Sequence, residues 1–154
     1  MPEKNGGCQG HIDAVCISQR RGEAKTAVPG ADFVEGSGIL GDAHAGPGDR
    51  QVSLLAGESI DRMRSRGLAL EPGAFGENLV TRGIDLSSLE PGDCLIAGGA
   101  RLCITRIGKE CHSRCAIYYS AGDCIMPREG LFAQVIRSGR VAPGDKIELL
   151  NERC

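Results

Sequence analysis

Short runs in which apolar and polar residues alternate recur along the chain and predict β-strands. The clearest is residues 101–107 (RLCITRI), where Leu102 and Ile104 fall on one face and Cys103 falls on the other. Because successive side chains of a strand point to opposite faces, this pattern predicts a strand with one buried face. We expect further strands in residues 11–18, 50–55 and 131–136, with shorter ones before Pro29 and at Leu79 and Val80.

One segment has the spacing of a helix instead. In residues 58–66 (ESIDRMRSR), Ile60 and Met63 lie three positions apart, with Glu58 early and arginines late. That charge order suits the helix dipole, and Gly67 is typical of a helix end. We therefore predict one clear helix here.

Two Pro-Gly-Asp sequences, at residues 91–93 and 143–145, each precede a run typical of a strand. Many short strands, 23 glycines and one clear helix favour a mainly β fold. We predict a partly closed β-barrel with a few short helices. The 154-residue length fits a single domain over residues 11–150, with a flexible N-terminus at 1–10 and a C-terminal tail at 151–154.

The composition argues against nucleic acid as a partner. Aromatic residues make up 3% of the chain, there is no Trp, and the net charge is -2. Base stacking needs aromatic rings, and polyanion binding needs excess positive charge. Residues 101–140 nevertheless hold seven basic and three acidic residues, which suits a small anionic ligand.

The sequence predicts a cytoplasmic protein that does not enter a membrane. Its first residues lack the apolar core of a signal peptide, and no run reaches about 18 apolar residues. In a reducing compartment, cysteines such as these eight are more often core residues, metal ligands or catalytic thiols than disulfide partners. Cys16, between apolar neighbours, is predicted to be a core thiol, whereas no role is expected for Cys8 or Cys154.

The strongest chemical candidate is the segment that follows residues 101–107. Within seven positions it holds Lys109, Cys111, His112, Arg114 and Cys115. Nearby cations favour the thiolate form of a cysteine, which is its nucleophilic and metal-binding form. Cys111 is therefore a candidate reactive thiolate, persulfide carrier or soft-metal ligand.

Two other interpretations of this segment stay open. Cys111, Cys115 and Cys124, with His112 or His44, could form a zinc site, although paired Cys-x-x-Cys motifs are missing. Alternatively, the segment is an ordinary loop with incidental cysteines.

Other candidate ligand-binding residues lie elsewhere in the chain. The glycine-rich residues 36–48 contain His44, and Arg50 and Gln51 follow closely enough to line the same cleft. No Gly-Lys-Ser/Thr sequence ends this loop, so it is not a nucleotide P-loop. Asn78 can donate and accept through one amide, and Arg128 could grip a phosphate.

In this order the motifs resemble the MOSC domain, named from the C-terminal domain of molybdenum cofactor sulfurase. The match covers residues 10–150 and is carried by GILGDAHAG at 38–46, RQVSLL at 50–55, GENL at 76–79, both Pro-Gly-Asp turns and GKEC at 108–111. The resemblance implies a barrel-like fold and a distinctive cysteine after a late strand, which Cys111 matches. In relatives that cysteine binds the molybdenum cofactor or carries sulfur to it.

The chain also departs from many relatives. We expect no additional N-terminal barrel and no pyridoxal-phosphate lyase domain, and the chain reads Gly-Lys-Glu-Cys where many relatives have Pro-Arg-x-Pro-Cys. The resemblance is therefore to a stand-alone bacterial type and does not imply reductase activity.

The leading hypothesis is a molybdenum cofactor-binding or sulfur-carrier domain whose partner is the cofactor or a sulfur-donor enzyme. Cys111 would ligate molybdenum or hold a persulfide. Lys109, Arg114 and Arg50 would neutralise ligand phosphate or lower the thiol pKa. His44 and His112 would hydrogen-bond the ligand or transfer protons, and Asn78 would recognise a polar ligand edge. Cys115 and Cys124 would be resolving thiols or accessory ligands. The alternatives are a thiol-based sulfurtransferase or small oxidoreductase acting through Cys111 and Cys115, and a structural zinc-binding interaction domain.

Overall fold

The computed structural model describes residues 8–67, 69–108 and 129–154. These residues form eleven strands, one α-helix and one short 3-10 helix. The strands are β1 (Gln9–Ile17), β2 (Thr26–Val28), β3 (Ala31–Val34), β4 (Gly38–Ile39), β5 (Val52–Ala56), β6 (Leu79–Arg82), β7 (Asp93–Ala97), β8 (Ala100–Ile107), β9 (Leu131–Arg137), β10 (Gly139–Val141) and β11 (Lys146–Arg153). Helix α1 spans Gly57–Arg64, and the 3-10 helix spans Leu86–Ser88.

Seven strands close into a barrel, in the order β1-β11-β7-β8-β9-β5-β6 and back to β1. All neighbours are antiparallel except β5 and β6, which are parallel because α1 connects them. Strand β2 pairs with the last three residues of β1, and β10, β3 and β4 form a separate small sheet. The predicted mainly β, barrel-like fold is confirmed, and the ring of strands is fully closed.

Apolar side chains on the two faces of the strands form two separate clusters, one inside the barrel and one on its outer face. Leu102 and Ile104 point into the barrel and are at most 1% exposed, as predicted from their spacing. The second cluster lies on the outer face of the sheet, where Ile60 and Met63 of α1 pack against it. This outer cluster comprises Ala14, Cys16, Leu55, Ile60, Met63, Leu70, Phe75, Val80 and Phe132.

The predicted elements that carry periodic apolar residues are present. The helix begins one residue earlier than expected, and β11 continues to Arg153. Strands β3 and β10 were not predicted, because three or four residues give too little alternation to recognise. They pair with each other through partners more than 100 positions apart, such as Phe33 and Gly139.

Two expectations about the cysteines are wrong, namely that they are not disulfide-bonded and that Cys154 has no role. Cys103 and Cys154 form a disulfide with a Cα–Cα distance of 6.1 Å, so Cys154 does have a partner. Their contact depends on the register of β11 beside β7 and of β7 beside β8, which no local pattern reveals. Cys16, in contrast, is fully buried, as expected of a core thiol.

No helix among the described residues is long and apolar enough to cross a membrane.

Replacing Leu102 with Ala is expected to lower the free energy of unfolding by about 2–5 kcal/mol, because it leaves a cavity inside the barrel. Leu40 is 65% exposed, so Leu40→Ala is a matched control that should cost less than about 0.5 kcal/mol. Urea denaturation of the three proteins measures both effects. Equal costs at the two positions would contradict the assigned strand orientation.

Candidate functional site

The candidate residues in the segment around Cys111, which we call the cysteine segment, all fall outside the described residues. These are Lys109, Cys111, His112, Arg114, Cys115, Cys124 and Arg128. The structure does define where the connection starts and ends. Strand β8 ends at Ile107 and β9 begins at Leu131, and the Gly108 amide donates to the Gly130 carbonyl at 2.7 Å.

The segment before β5 is held against the same two strands. The Thr105 hydroxyl donates to the Asp49 carbonyl, and the Gln134 amide donates to the Gly48 carbonyl at 2.6 Å. The Asp49 carboxylate also pairs with Arg106 at 3.6 Å. Residues 48–50 are therefore fixed beside the strands that bracket the cysteine segment.

A pocket of about 380 Å³ opens at this point. We call it the cationic pocket; its lining residues are Arg21, His44, Pro47, Gly48, Asp49, Arg50 and Phe132. The Arg50 guanidinium lies 5.7 Å from the centre of the Phe132 ring, and Arg21 Nε donates to the Ala43 carbonyl at 3.4 Å. Within the described part of the chain neither arginine has a carboxylate partner, so both charges remain available to an anion.

Behind the pocket lies a buried ion pair that the sequence analysis missed. Lys25 Nζ lies 2.7 Å from Asp42 Oδ1, and both side chains are 0% exposed. The same ammonium contacts Ser18 Oγ and His44 Nδ1, each at 3.0 Å. Three acceptors therefore match the three N–H donors of the lysine, which is how a charge of this kind is accommodated inside a protein.

Asp42 is equally well satisfied. Its carboxylate accepts the backbone N–H groups of Ser18 at 3.0 Å and His44 at 3.1 Å, in addition to the Lys25 bond. Burial by itself would raise the pKa of Asp42, but the hydrogen bonds from Lys25 and Ser18 and the charge of Lys25 oppose it, and the pKa lies well below its usual range. Asp42 is thus an anion that ties the glycine-rich loop to β1 and β2.

The contact with Lys25 selects one tautomer of His44. Since the lysine ammonium can only donate, His44 Nδ1 must accept at 3.0 Å and carry no proton. The distance from Nδ1 to Asp42 Oδ2 is 3.7 Å, too long for a hydrogen bond to compete. The proton of the neutral ring therefore sits on Nε2, and His44 offers a donor to the pocket that it lines.

No local signal in the sequence identifies Lys25. A lysine beside a short strand is usually exposed, and its partners lie 7 to 19 positions away along the chain. The prediction did place His44 and Arg50 together, and both line the cationic pocket.

Gln51 and Asn78, the other two predicted binding residues outside the cysteine segment, are buried. Gln51 accepts the Val135 amide at 3.0 Å, which fixes β5 against β9. Asn78 accepts the Ser53 amide at 2.9 Å and donates to the Cys16 carbonyl at 3.0 Å. Both amides face the protein, and neither lines the cationic pocket.

Glu77 and Cys16 form a buried polar group next to this framework. Burial raises the pKa of Glu77, while the Gly73 and Phe75 amides that donate to it at 2.8 and 3.0 Å oppose the shift. Burial and the nearby Glu77 raise the pKa of Cys16 to about 12, with Lys25 opposing. Cys16 is therefore a protonated thiol at neutral pH and no nucleophile.

A second cavity, of about 540 Å³, lies between α1 and the segment after β6. Ile107, Glu129 and Leu131, at the two ends of the undescribed connection, form part of its wall. Glu129 pairs with Arg62 and accepts the Ser59 hydroxyl at 2.7 Å. Glu58 and Asp85 also line this cavity and accept backbone N–H groups from Gly83 and Ser87. The cavity therefore carries unneutralised negative charge in the described part of the chain and suits an anionic ligand less well than the cationic pocket does.

The described residues contain no group of three or more His, Cys, Asp or Glu side chains placed to hold a metal ion. The zinc alternative depends on Cys111, Cys115, Cys124 and His112, which lie outside those residues, so it stays a prediction. The same holds for Cys111 as a molybdenum ligand.

Asp42→Asn is expected to lower stability by about 3–5 kcal/mol near neutral pH, because Lys25 is left buried without its counter-charge. The folded pKa of Asp42 lies below its ordinary value of 3.8, so its contribution is present above that pH and is lost as the pH falls through the folded pKa. The stability difference from the unmodified protein should therefore shrink on acidification below about pH 4.

Denaturant unfolding across an acidic pH series measures this difference. Asp32→Asn is the matched control, since Asp32 is 58% exposed in its pair with Arg140. A difference for Asp42→Asn that stays constant with pH would contradict the buried ion pair.

Comparison with solved structures supports the architecture. The YuaD protein of Bacillus subtilis is 23% identical with a TM-score of 0.74, over 92% of this chain and 95% of that chain. YiiM of Geobacillus stearothermophilus is 19% identical with a TM-score of 0.72, over 92% and 75%. YiiM of Escherichia coli is 22% identical with a TM-score of 0.66, over 93% and 70%. These identities establish a shared fold only.

A search of curated proteins found no match. The family model of the MOSC domain, however, matches residues 41–148. That range includes His44 and Arg50 of the cationic pocket, the strands that bracket the cysteine segment, and Cys111 itself. The chain therefore belongs to the MOSC domain family.

Proposed function

We propose that this MOSC domain binds the molybdenum cofactor, or carries sulfur for it, through Cys111. MOSC domains are generally linked to molybdenum cofactor sulfurase-like function. The observation that carries the proposal is the cationic pocket beside β8 and β9, the strands between which Cys111 lies in the sequence. A soft thiolate is suited both to ligating molybdenum and to holding a persulfide.

The donors of the cationic pocket fit an anionic cofactor. The guanidinium groups of Arg21 and Arg50 can each bind a phosphate oxygen, and such charge-assisted bonds are strong where water is partly excluded. His44 adds an N–H donor, and Phe132 adds an apolar wall. This combination of charge, one oriented donor and one ring is what a phosphorylated heterocycle requires.

When bound, the cofactor would supply a molybdenum centre and its exchangeable sulfur. The chain's own residues bind and orient it: Arg21 and Arg50 neutralise phosphate, and His44 presents the Nε2 proton. Lys25 is a positioning residue, since it fixes the His44 tautomer without lining the pocket itself.

The proposal also gives roles to residues outside the described part of the chain. Lys109 and Arg114 would favour the Cys111 thiolate, and Arg128 would bind phosphate. His112 would transfer protons, and Cys115 would resolve a persulfide. The expected partner is a cytoplasmic enzyme that donates sulfur or receives the loaded cofactor.

Cys111→Ala should abolish retention of molybdenum or of cyanide-releasable sulfur, because the alanine has no thiolate to hold either. Protein isolated from its own host is analysed for molybdenum, pterin and cyanide-releasable sulfur per chain. Cys8→Ala, at a half-buried cysteine near the N-terminus, is the control and should change nothing. Molybdenum and sulfur contents that are unchanged in Cys111→Ala would refute the assignment.

Arg21→Gln and Arg50→Gln should each weaken binding of the purified cofactor about 10- to 100-fold, since each removes a charged donor worth about 1.5–3 kcal/mol. The dissociation constant is measured by titration calorimetry at two salt concentrations, and the variants should show a weaker salt dependence. Arg140→Gln is the matched control, because Arg140 is exposed on β10 and pairs with Asp32. Unchanged affinity in both pocket variants would place the ligand elsewhere.

A further inference from the structure

Three cysteines that the proposed function does not use converge on the outside of the barrel. Cys94 lies on β7, Cys103 lies on β8, and Cys154 is the last residue after β11. Cys103 and Cys154 are joined as a disulfide, while Cys94 is a free, buried thiol that is 4% exposed.

The strand register brings Cys94 next to this disulfide. Cys94 and Cys103 are directly opposite each other in the antiparallel pair of β7 and β8. Directly opposite residues point to the same face, with Cβ atoms about 4.5–5.5 Å apart. The next pair along, Leu95 and Leu102, is fully buried in the barrel core, so Cys94 and Cys103 both point outward.

The third sulfur approaches from the other side of Cys94. Cys154 Sγ lies 3.3 Å from the Gly92 carbonyl and 3.8 Å from the Asp93 carbonyl, the residue next to Cys94. The chain end is held there by Arg153, which pairs with Asp93 at 2.8 Å, and by the Cys154 amide, which donates to Gly92 at 3.0 Å. A free thiol and a disulfide are thus positioned together by two pairs of strands.

We propose that Cys94, Cys103 and Cys154 form a thiol–disulfide exchange site in which Cys94 replaces Cys154 as the partner of Cys103. The Cys94 sulfur, after losing its proton, bonds to Cys103 Sγ; the Cys103–Cys154 bond breaks, and its electron pair leaves on the Cys154 sulfur, which takes up a proton. One thiol and one disulfide are present before and after, so the step needs no oxidant or reductant.

The exchange moves the free thiol from buried Cys94 to exposed Cys154. Cys154 is exposed, whereas Cys94 is buried, so among these three cysteines the exchanged form offers a thiol that small disulfides in solution can reach. Burial raises the pKa of Cys94, with the nearby Arg101 opposing, so the exchange is slow at neutral pH and speeds up as the pH rises.

Mass spectrometry of the full-length protein tests the exchange. Oxidised protein is incubated at mildly alkaline pH, blocked with iodoacetamide and digested with trypsin at mildly acidic pH. The peptides of residues 83–101 and 102–106, which carry Cys94 and Cys103, are expected to appear joined by a disulfide. The fraction joined should grow with time and pH. If residues 102–106 remain joined only to Cys154, the proposal is overturned.

Two variants separate this site from the other cysteines. In Cys154→Ser, a substitution at an exposed position, oxidised glutathione should produce the Cys94–Cys103 disulfide directly; its absence would show that the two thiols cannot bond. Cys16→Ser changes another buried thiol, outside this cluster, and should leave the exchange rate unchanged. If either peptide is joined instead to residues of the Cys111 segment, a different thiol is the attacking group and the proposal fails.

Discussion

The buried pair of Lys25 and Asp42 is the interaction on which the candidate site depends. Two opposite charges removed from water are tolerable only when each is fully hydrogen-bonded, and here Ser18 and His44 complete both sets. The pair joins β1, the residue before β2 and the glycine-rich loop. Its position also determines which nitrogen of His44 carries the proton, so a structural ion pair sets the chemistry of the pocket.

The closed barrel supplies the rigid frame for that pocket. Strands β8 and β9 are paired along most of their length, and the carbonyls of Asp49 and Gly48 accept hydrogen bonds from Thr105 of β8 and Gln134 of β9. Arg50 is therefore held over Phe132 by contacts with the frame and not by its own loop. A MOSC domain built this way presents free positive charge on the outside of the barrel, beside the strands that bracket Cys111.

The disulfide likewise depends on the order of the barrel strands. Cys154 reaches Cys103 only because β11 lies beside β7 and β7 lies beside β8. The expectation of reduced, unpaired cysteines came from composition and compartment, and neither carries information about which strands are neighbours. Cys94 joins the cluster through the same register.

The sequence by itself determined the elements whose side chains repeat with a clear period. Alternation identified β8 and its buried face, three-residue spacing identified α1, and the ordered motifs identified the MOSC family, His44 and Arg50. Only the tertiary structure decided which distant residues meet: Lys25 with Asp42 and His44, Gln51 with Val135, and Cys103 with Cys154. Periodicity reports burial within one element, whereas contacts between elements depend on strand order and register, which local sequence does not encode.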